Sequence, residues 1–419
     1  MSLIPGVDPR NLAEAGWGVI FHEGENPDVR EALRGLLEHR KLQASSRFEH
    51  LYREFSDRLG FRGSESKNDF LARNGATAGP VNPQRMPYYL LIVGDPKLIP
   101  FQFQQQLDTQ HAVGRICFDK PEEYECYARS VVEVETSGVS RGRRINLFGV
   151  SNPDDLPTKL STDLLIRPLA HHLTARANGQ KTQEWEVRSL VGEEATKKHL
   201  TRLLHGEEAP TLFFTASHGL SFSCGDPLQR THQGALLCQD WPGPKRWQQS
   251  IPLDYYFSGD DVKSDAHLKG MIAFHLASHS AGTPVFDEFV ELDGRPPKAM
   301  APYPFVAHLP QRLLGHPMGG ALAVVGYVGM AWPYSFLLTV SRALETFEST
   351  ISLLMDGYPV GLALEYFNQS YAEWSADLAW ALQKTNKDTQ FSPIELTELW
   401  MSHSAQNLVV LGDPAVRLS

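Results

Sequence analysis

Two short apolar runs in this chain stop at compact polar clusters that hold an imidazole, hydroxyls and glycines. The first is Thr211-Leu-Phe-Phe-Thr-Ala-Ser-His218-Gly219. The second is Met271-Ile-Ala-Phe-His-Leu-Ala-Ser278-His-Ser-Ala-Gly-Thr-Pro284. Runs of this length and composition read as buried strands that deliver their last side chains to the C-terminal edge of a parallel sheet, where α/β proteins place their ligands. A hydroxyl at Ser278 and an imidazole at His218 are the raw materials of nucleophilic catalysis, which also needs backbone donors for a developing oxyanion. The structural alternatives are a histidine that ends a strand by bonding a loop carbonyl and a serine that merely follows an alanine. His275 and His279 flank Ser278, but no third ligand follows at a metal-binding spacing, so no metal and no cofactor is expected. Cys224 and Cys238 lie near the His218 cluster without ending a strand and rank low as nucleophiles.

The elements that would position these residues alternate. Trp17–His22 reads as a strand, followed by a helix capped at Asn26-Pro27-Asp28 with Val29, Leu33, Leu36 and Leu37 on one face. A second helical stretch is expected around Phe48–Phe55, and Tyr88–Val93 reads as a strand buried on both faces. A boundary falls near residue 140, where Ser137–Arg144 is polar and basic. Strands at 145–150, 184–191 and 211–216 alternate with helices at about 162–177 and 194–205, and further strands are expected at 234–238, 271–277 and 321–328. This order implies a mostly parallel sheet with helical crossovers. Leu337, Val340, Leu344, Phe347, Ile351 and Leu354 share one helical face before Gly357 and Pro359, and a second helix is expected over 361–383.

Composition narrows the function classes. Among 419 residues, Lys plus Arg is 39 and Asp plus Glu is 49, giving −10 with no long block of either sign. A basic nucleic-acid footprint is therefore not expected. Four cysteines without a CxxC pair fit reduced thiols and a cytoplasmic setting better than a disulfide framework. The N-terminus lacks a basic region followed by an apolar core, so no secretory signal is expected. Pro317–Ser341 is uncharged and long enough to span a bilayer, but its glycines and prolines divide it into a strand, a loop and a helix start, and no membrane partner is expected.

The His218-Gly219 and Ala277-Ser278 strand ends, together with the terminal Leu411-Gly-Asp-Pro-Ala415, resemble the caspase-like cysteine peptidases, and most of all their gingipain-like bacterial members. The resemblance covers most of the chain. It implies a caspase-like α/β fold, with a gingipain-like N-terminal α/β subdomain over 1–140 and a catalytic domain over 141–419. It also implies proteolysis of a polypeptide substrate, with His218 as general base or as proton donor to the leaving amine, Ser278 as the attacking position and the amides of Gly219 and Ser278 as oxyanion donors. Ser278 stands where the family's cysteine is expected. A serine needs a tightly held base oriented by a third group, which is not visible in the sequence, so the chain is expected to be inactive or very slow as written. With every other family feature in place, a replaced cysteine is favoured over a natural pseudopeptidase that binds a peptide or partner in the same cleft. A serine hydrolase of another class fits less well, since no Gly-x-Ser-x-Gly elbow surrounds Ser278.

The resemblance assigns the first substrate pocket to Met330, Trp332 and Tyr334. Here Gly-Met-Ala-Trp replaces an acid-containing stretch, which argues against a preference for basic residues. Pro284–Pro317 is expected to be an exposed, mobile loop cut by the enzyme itself or by an upstream activating protease. By analogy with some bacterial relatives, the setting is an immune or cell-death cascade, including those linked to gasdermin and CRISPR systems.

Overall fold

A computed structural model describes residues 2–137, 142–179, 185–287, 297–331, 340–369 and 406–418. Its centre is one ten-stranded sheet. In chain order the strands are β1 (Trp17–Phe21), β2 (Tyr52–Phe55), β3 (Tyr89–Val93), β4 (Ala112–Ile116), β5 (Arg144–Gly149), β6 (Glu186–Val191), β7 (Leu212–Ala216), β8 (Ile272–Leu276), β9 (Ala323–Tyr327) and β10 (Leu408–Gly412). In space they run β2-β1-β3-β4-β10-β9-β8-β7-β5-β6. Every neighbouring pair is parallel except β9 with β10. The sheet thus consists of two parallel halves pointing in opposite directions, and their C-terminal edges lie on opposite sides of the molecule. The last strand pairs in parallel with β4, so residues 408–412 run with the N-terminal half.

The side-chain chemistry explains this layering. All five residues of β1, β3, β4, β7, β8, β9 and β10 are buried, as expected of strands covered by helices on both faces. At the outer edge β6 buries none of its residues and carries Glu186 and Arg188, charges that discourage pairing with another chain. One apolar cluster runs through both halves, and a second, including Ile20, Phe55, Phe70, Leu90, Ile92 and Phe103, covers the other face of the N-terminal half.

Three expectations need correction. The helical stretch over Phe48–Phe55 is instead a short 3-10 turn, Glu49–Leu51, followed by edge strand β2. Pairing with β1 overrides a weak helical pattern there. The strand expected at 234–238 is only Leu236–Leu237, paired antiparallel with Tyr256–Phe257 outside the central sheet. Pro284–Pro317 is not one mobile loop. Its Phe305–Val306 pairs with Gly282–Thr283, and the helix His308–Leu314 buries Leu309, Leu313 and Leu314. The apolar half of that segment pays its ordering entropy with core contacts, while residues 288–296 lie outside the described residues. The helix expected over 361–383 is described only in its first residues. The described part of the uncharged run from Pro317 is β9 and its flanks, and among the described residues no helix is long and apolar enough to cross a membrane.

Candidate active site

The site forms where the chain order of the second half reverses direction. From β5 the chain crosses by the helices over 156–179 to β6 on one side, whereas β7 lies on the other side of β5. Such a switch point leaves a crevice beyond the strand ends. In register, Gly149 of β5 lies beside Ala216 of β7, which lies beside Leu276 of β8. The segments that follow these three residues therefore emerge together, bringing Asp155, His218 and Ser278 to one edge.

His218 Nε2 is 2.8 Å from Asp155 Oδ2. Asp155 is also the N-cap of the helix Leu156–Ser161 and accepts from Thr158 N at 3.3 Å and Thr158 Oγ1 at 2.5 Å. Partial burial would push this carboxyl up, but the hydrogen bond and charge of His218 and the two bonds from Thr158 hold it below the ordinary carboxylate value. Thr158 Oγ1 in turn accepts from Asn152 N at 3.1 Å, and Asn152 Nδ2 donates to the Cys238 and Trp241 carbonyls. The acid is thus anchored on three sides. With Nε2–H donated to Asp155, the lone pair of the imidazole sits on Nδ1. The carboxylate is nearly buried at 10% side-chain exposure, whereas the imidazole is 39% exposed and reachable.

Ser278 follows β8, and its Oγ accepts from Ala331 N at 3.1 Å. His218 and Ser278 border the same cavity. Neither the Gly219 N–H nor the Ser278 N–H has an acceptor among the described residues. The turn after Ser278 is tightly built. His279 adopts φ +59°, an uncommon conformation for a histidine, and its N–H donates to Gly329 O at 2.6 Å. Ser280 Oγ donates to His275 O at 3.1 Å and accepts from Tyr327 N at 3.0 Å, tying the turn to β9.

Two glycines clasp this turn. A Cβ on Gly219 would collide with the Ser278 carbonyl, and one on Gly234, at φ +78°, with the His279 carbonyl. The glycine after His218 is therefore required first by the backbone of Ser278. Gly219→Ala is expected to cost about 1–3 kcal/mol, as overpacking does. The urea midpoint checks this, with no change contradicting the close contact.

The remaining candidates disperse. His275 is buried with Nδ1 2.9 Å from Thr215 Oγ1, and burial pushes its pKa down to about 3. His279 is buried as well and pushed down to about 4, chiefly by desolvation. Among the described residues no group of three or more His, Cys, Asp or Glu is placed to hold a metal ion. Cys224 is exposed and Cys238 buried, with burial pushing the Cys238 thiol up; neither borders the His218 cavity. Met330 lines a second cavity with His279 and Met300, and it is Ala331 that lines the cavity over Ser278. Trp332 and Tyr334 lie outside the described residues. Asp155 was missed in the sequence, although an acid in the loop after a neighbouring strand was the available signal.

No protein-family model matches this sequence, and no curated protein matches it. Solved structures do. The Arg-specific cysteine proteinase gingipain R superposes with a TM-score of 0.57 at 12% identity, over 99% of this chain and 80% of that one. A structure described only as a protease gives 0.53 at 11% identity, over 96% of this chain and 78% of that one. A complex of the pro- and mature domains of gingipain R from Porphyromonas gingivalis gives 0.52 at 11%, over 96% and 79%. The architecture is therefore the caspase-like α/β fold in its gingipain form, a large, mostly parallel sheet flanked by helices.

Proposed function

We propose that this chain is a caspase-fold endopeptidase whose reacting groups are His218, Asp155 and the residue at 278. The observation that carries the reading is the Asp155–His218 pair at 2.8 Å beside a cavity that Ser278 also borders. His218 Nδ1 takes the proton from the nucleophile at 278 as it attacks the scissile carbonyl. The oxyanion is received by the N–H groups of Gly219 and Ser278, which have no acceptor among the described residues. His218 then returns the proton to the leaving amine, and water repeats the sequence on the acyl intermediate. Asp155 holds the tautomer and stabilises the imidazolium, which is the third group a serine requires. The hydroxyl still starts from a far higher pKa than a thiol, so the proposal is slow hydrolysis as written and fast hydrolysis with cysteine.

A reducing, cytoplasmic setting belongs to the same proposal, supported by four unpaired cysteines. So does activation by cleavage within Pro284–Pro317, ahead of Phe305, because Phe305–Val306 pairs and the helix His308–Leu314 packs. A role in a defence cascade rests on analogy alone. Ser278 itself favours a second reading, a peptide-binding module using the same cleft.

The test is digestion of a mixed peptide library followed by mass spectrometry. Cleavage that depends on His218 supports the peptidase, and binding without cleavage in either the Ser278 or the Ser278→Cys form supports the module. Asp155→Asn in the cleaving form is expected to lower the rate by about 10²- to 10⁴-fold, because the wrong tautomer is then held. The depressed carboxyl also sets the pH behaviour of stability. Its contribution is present above the ordinary carboxylate value near 3.9 and is lost as pH falls through the lower folded value. The stability gap between the chain and Asp155→Asn should therefore be full at pH 7 and close in acid. Thermal melts at several pH values check this; a gap that is constant with pH contradicts it.

A further inference from the structure

We infer that the cavity bordered by Ser278 and His218 receives the side chain on the acyl side of the scissile bond, and that it selects a small uncharged residue, alanine or serine; this rests on the peptidase reading above. A carbonyl held with its oxygen toward the Gly219 and Ser278 amides, and its carbon against Ser278 Oγ, brings the adjoining side chain toward the space that Ser278 and His218 border. The room left there for the centres of water-sized groups is about 30 Å³, where a single water needs about 10–15 Å³. That suits a methyl or hydroxymethyl group better than a leucine or an arginine.

The chemistry of the walls points the same way. Pro157, Leu276 and Ala331 are apolar. Apart from Ser278, the hydroxyls have their protons committed: Thr158 to Asp155 at 2.5 Å, Ser161 to the Thr158 carbonyl at 3.1 Å and Ser217 to the His218 carbonyl at 3.2 Å. What they leave free are lone pairs, so a substrate hydroxyl can donate to them. Among these walls a substrate carboxylate meets as donors only the reacting pair, Ser278 and His218, and no Lys or Arg. Among the described lining residues a substrate ammonium or guanidinium meets no anion, and Asp155 beside them is spent on His218 and Thr158. A charged side chain here would lose its water without gaining a partner.

The test profiles the Ser278→Cys form against peptides that differ only at this position. Alanine and serine peptides are expected to be cleaved at least about 10-fold faster than leucine, and at least about 100-fold faster than arginine or aspartate. Ser161→Asp places a carboxylate in the floor and is expected to bring cleavage after arginine or lysine. Ser161→Gly, which adds no buried charge, should instead raise cleavage after valine. The same peptides are titrated against Ser278→Ala, which reads the pocket without catalysis. Tighter binding of the alanine peptide with no cleavage by any form would overturn the peptidase reading and leave the pocket preference standing. Efficient cleavage with arginine, aspartate or leucine preferred would overturn the pocket inference and leave the peptidase standing.

Discussion

The Ser278→Cys substitution is expected to raise peptide cleavage at least about 100-fold, and His218→Ala is expected to remove that gain. A thiol with an ordinary pKa of about 8.5 is already partly ionised near neutral pH, whereas a serine hydroxyl depends wholly on its base. The proposed site suits a thiol. His218 is held by Asp155 at 2.8 Å, so the cation formed when it takes the proton is stabilised. The Ala331 N–H donates to the side-chain atom at 278 and would support an anion there. Initial rates on the best library peptide measure the effect. Equal or lower activity with cysteine would contradict the account and favour a site in which serine is the working residue.

The second large effect lies far from the chemistry, in the Leu-Gly-Asp-Pro-Ala segment near the C-terminus. Asp413 has no exposed side-chain surface, and Arg40 is 1% exposed. The carboxylate accepts from Arg40 Nε at 2.6 Å, Trp17 Nε1 at 3.0 Å and Ala415 N at 3.0 Å. Arg40 also donates to both oxygens of Glu135 at 2.7 Å. Burial alone would depress the guanidinium, but Asp413 and Glu135 keep it firmly charged. The Asp413 N–H donates to Tyr127 Oη, which donates at 2.9 Å to the carbonyl of Leu322 just before β9. This network ties β1, two helices and β9 to the last strand, at the one antiparallel joint between the halves. Asp413→Ala strands a buried guanidinium and an indole N–H, and about 3–5 kcal/mol of stability should be lost. A urea titration reads the loss. A cost below about 1 kcal/mol would show that the guanidinium finds water or Glu135 sufficient.

What the sequence disclosed was set by range. The strands ending at Ala216 and Leu276 were legible because continuous apolar runs need no knowledge of their neighbours. Edge strand Tyr52–Phe55 was not, since three of its four residues are only partly buried and only pairing with β1 makes them a strand. The terminal Gly-Asp-Pro was visible as a family-like pattern, but its reason, an ion pair across 373 residues, is not a sequence property. Asp155 hid for the same cause. It lies 63 residues before His218, and the two meet only because β5 and β7 are neighbours. The segment after Pro284 misled because its prolines and charges masked Phe305–Val306 and the helix behind them.

The central claim is that His218, oriented by Asp155, acts on the side chain at 278, and thiol titration tests it without a known substrate. The Ser278→Cys form would be alkylated with iodoacetamide across a pH series. Peptide mass mapping would follow position 278 apart from Cys117, Cys126, Cys224 and Cys238. The account predicts an apparent thiol pKa at least about one unit below the ordinary 8.5, returning toward that value in the His218→Ala background. A value at or above 8.5 that ignores the loss of His218 would contradict it.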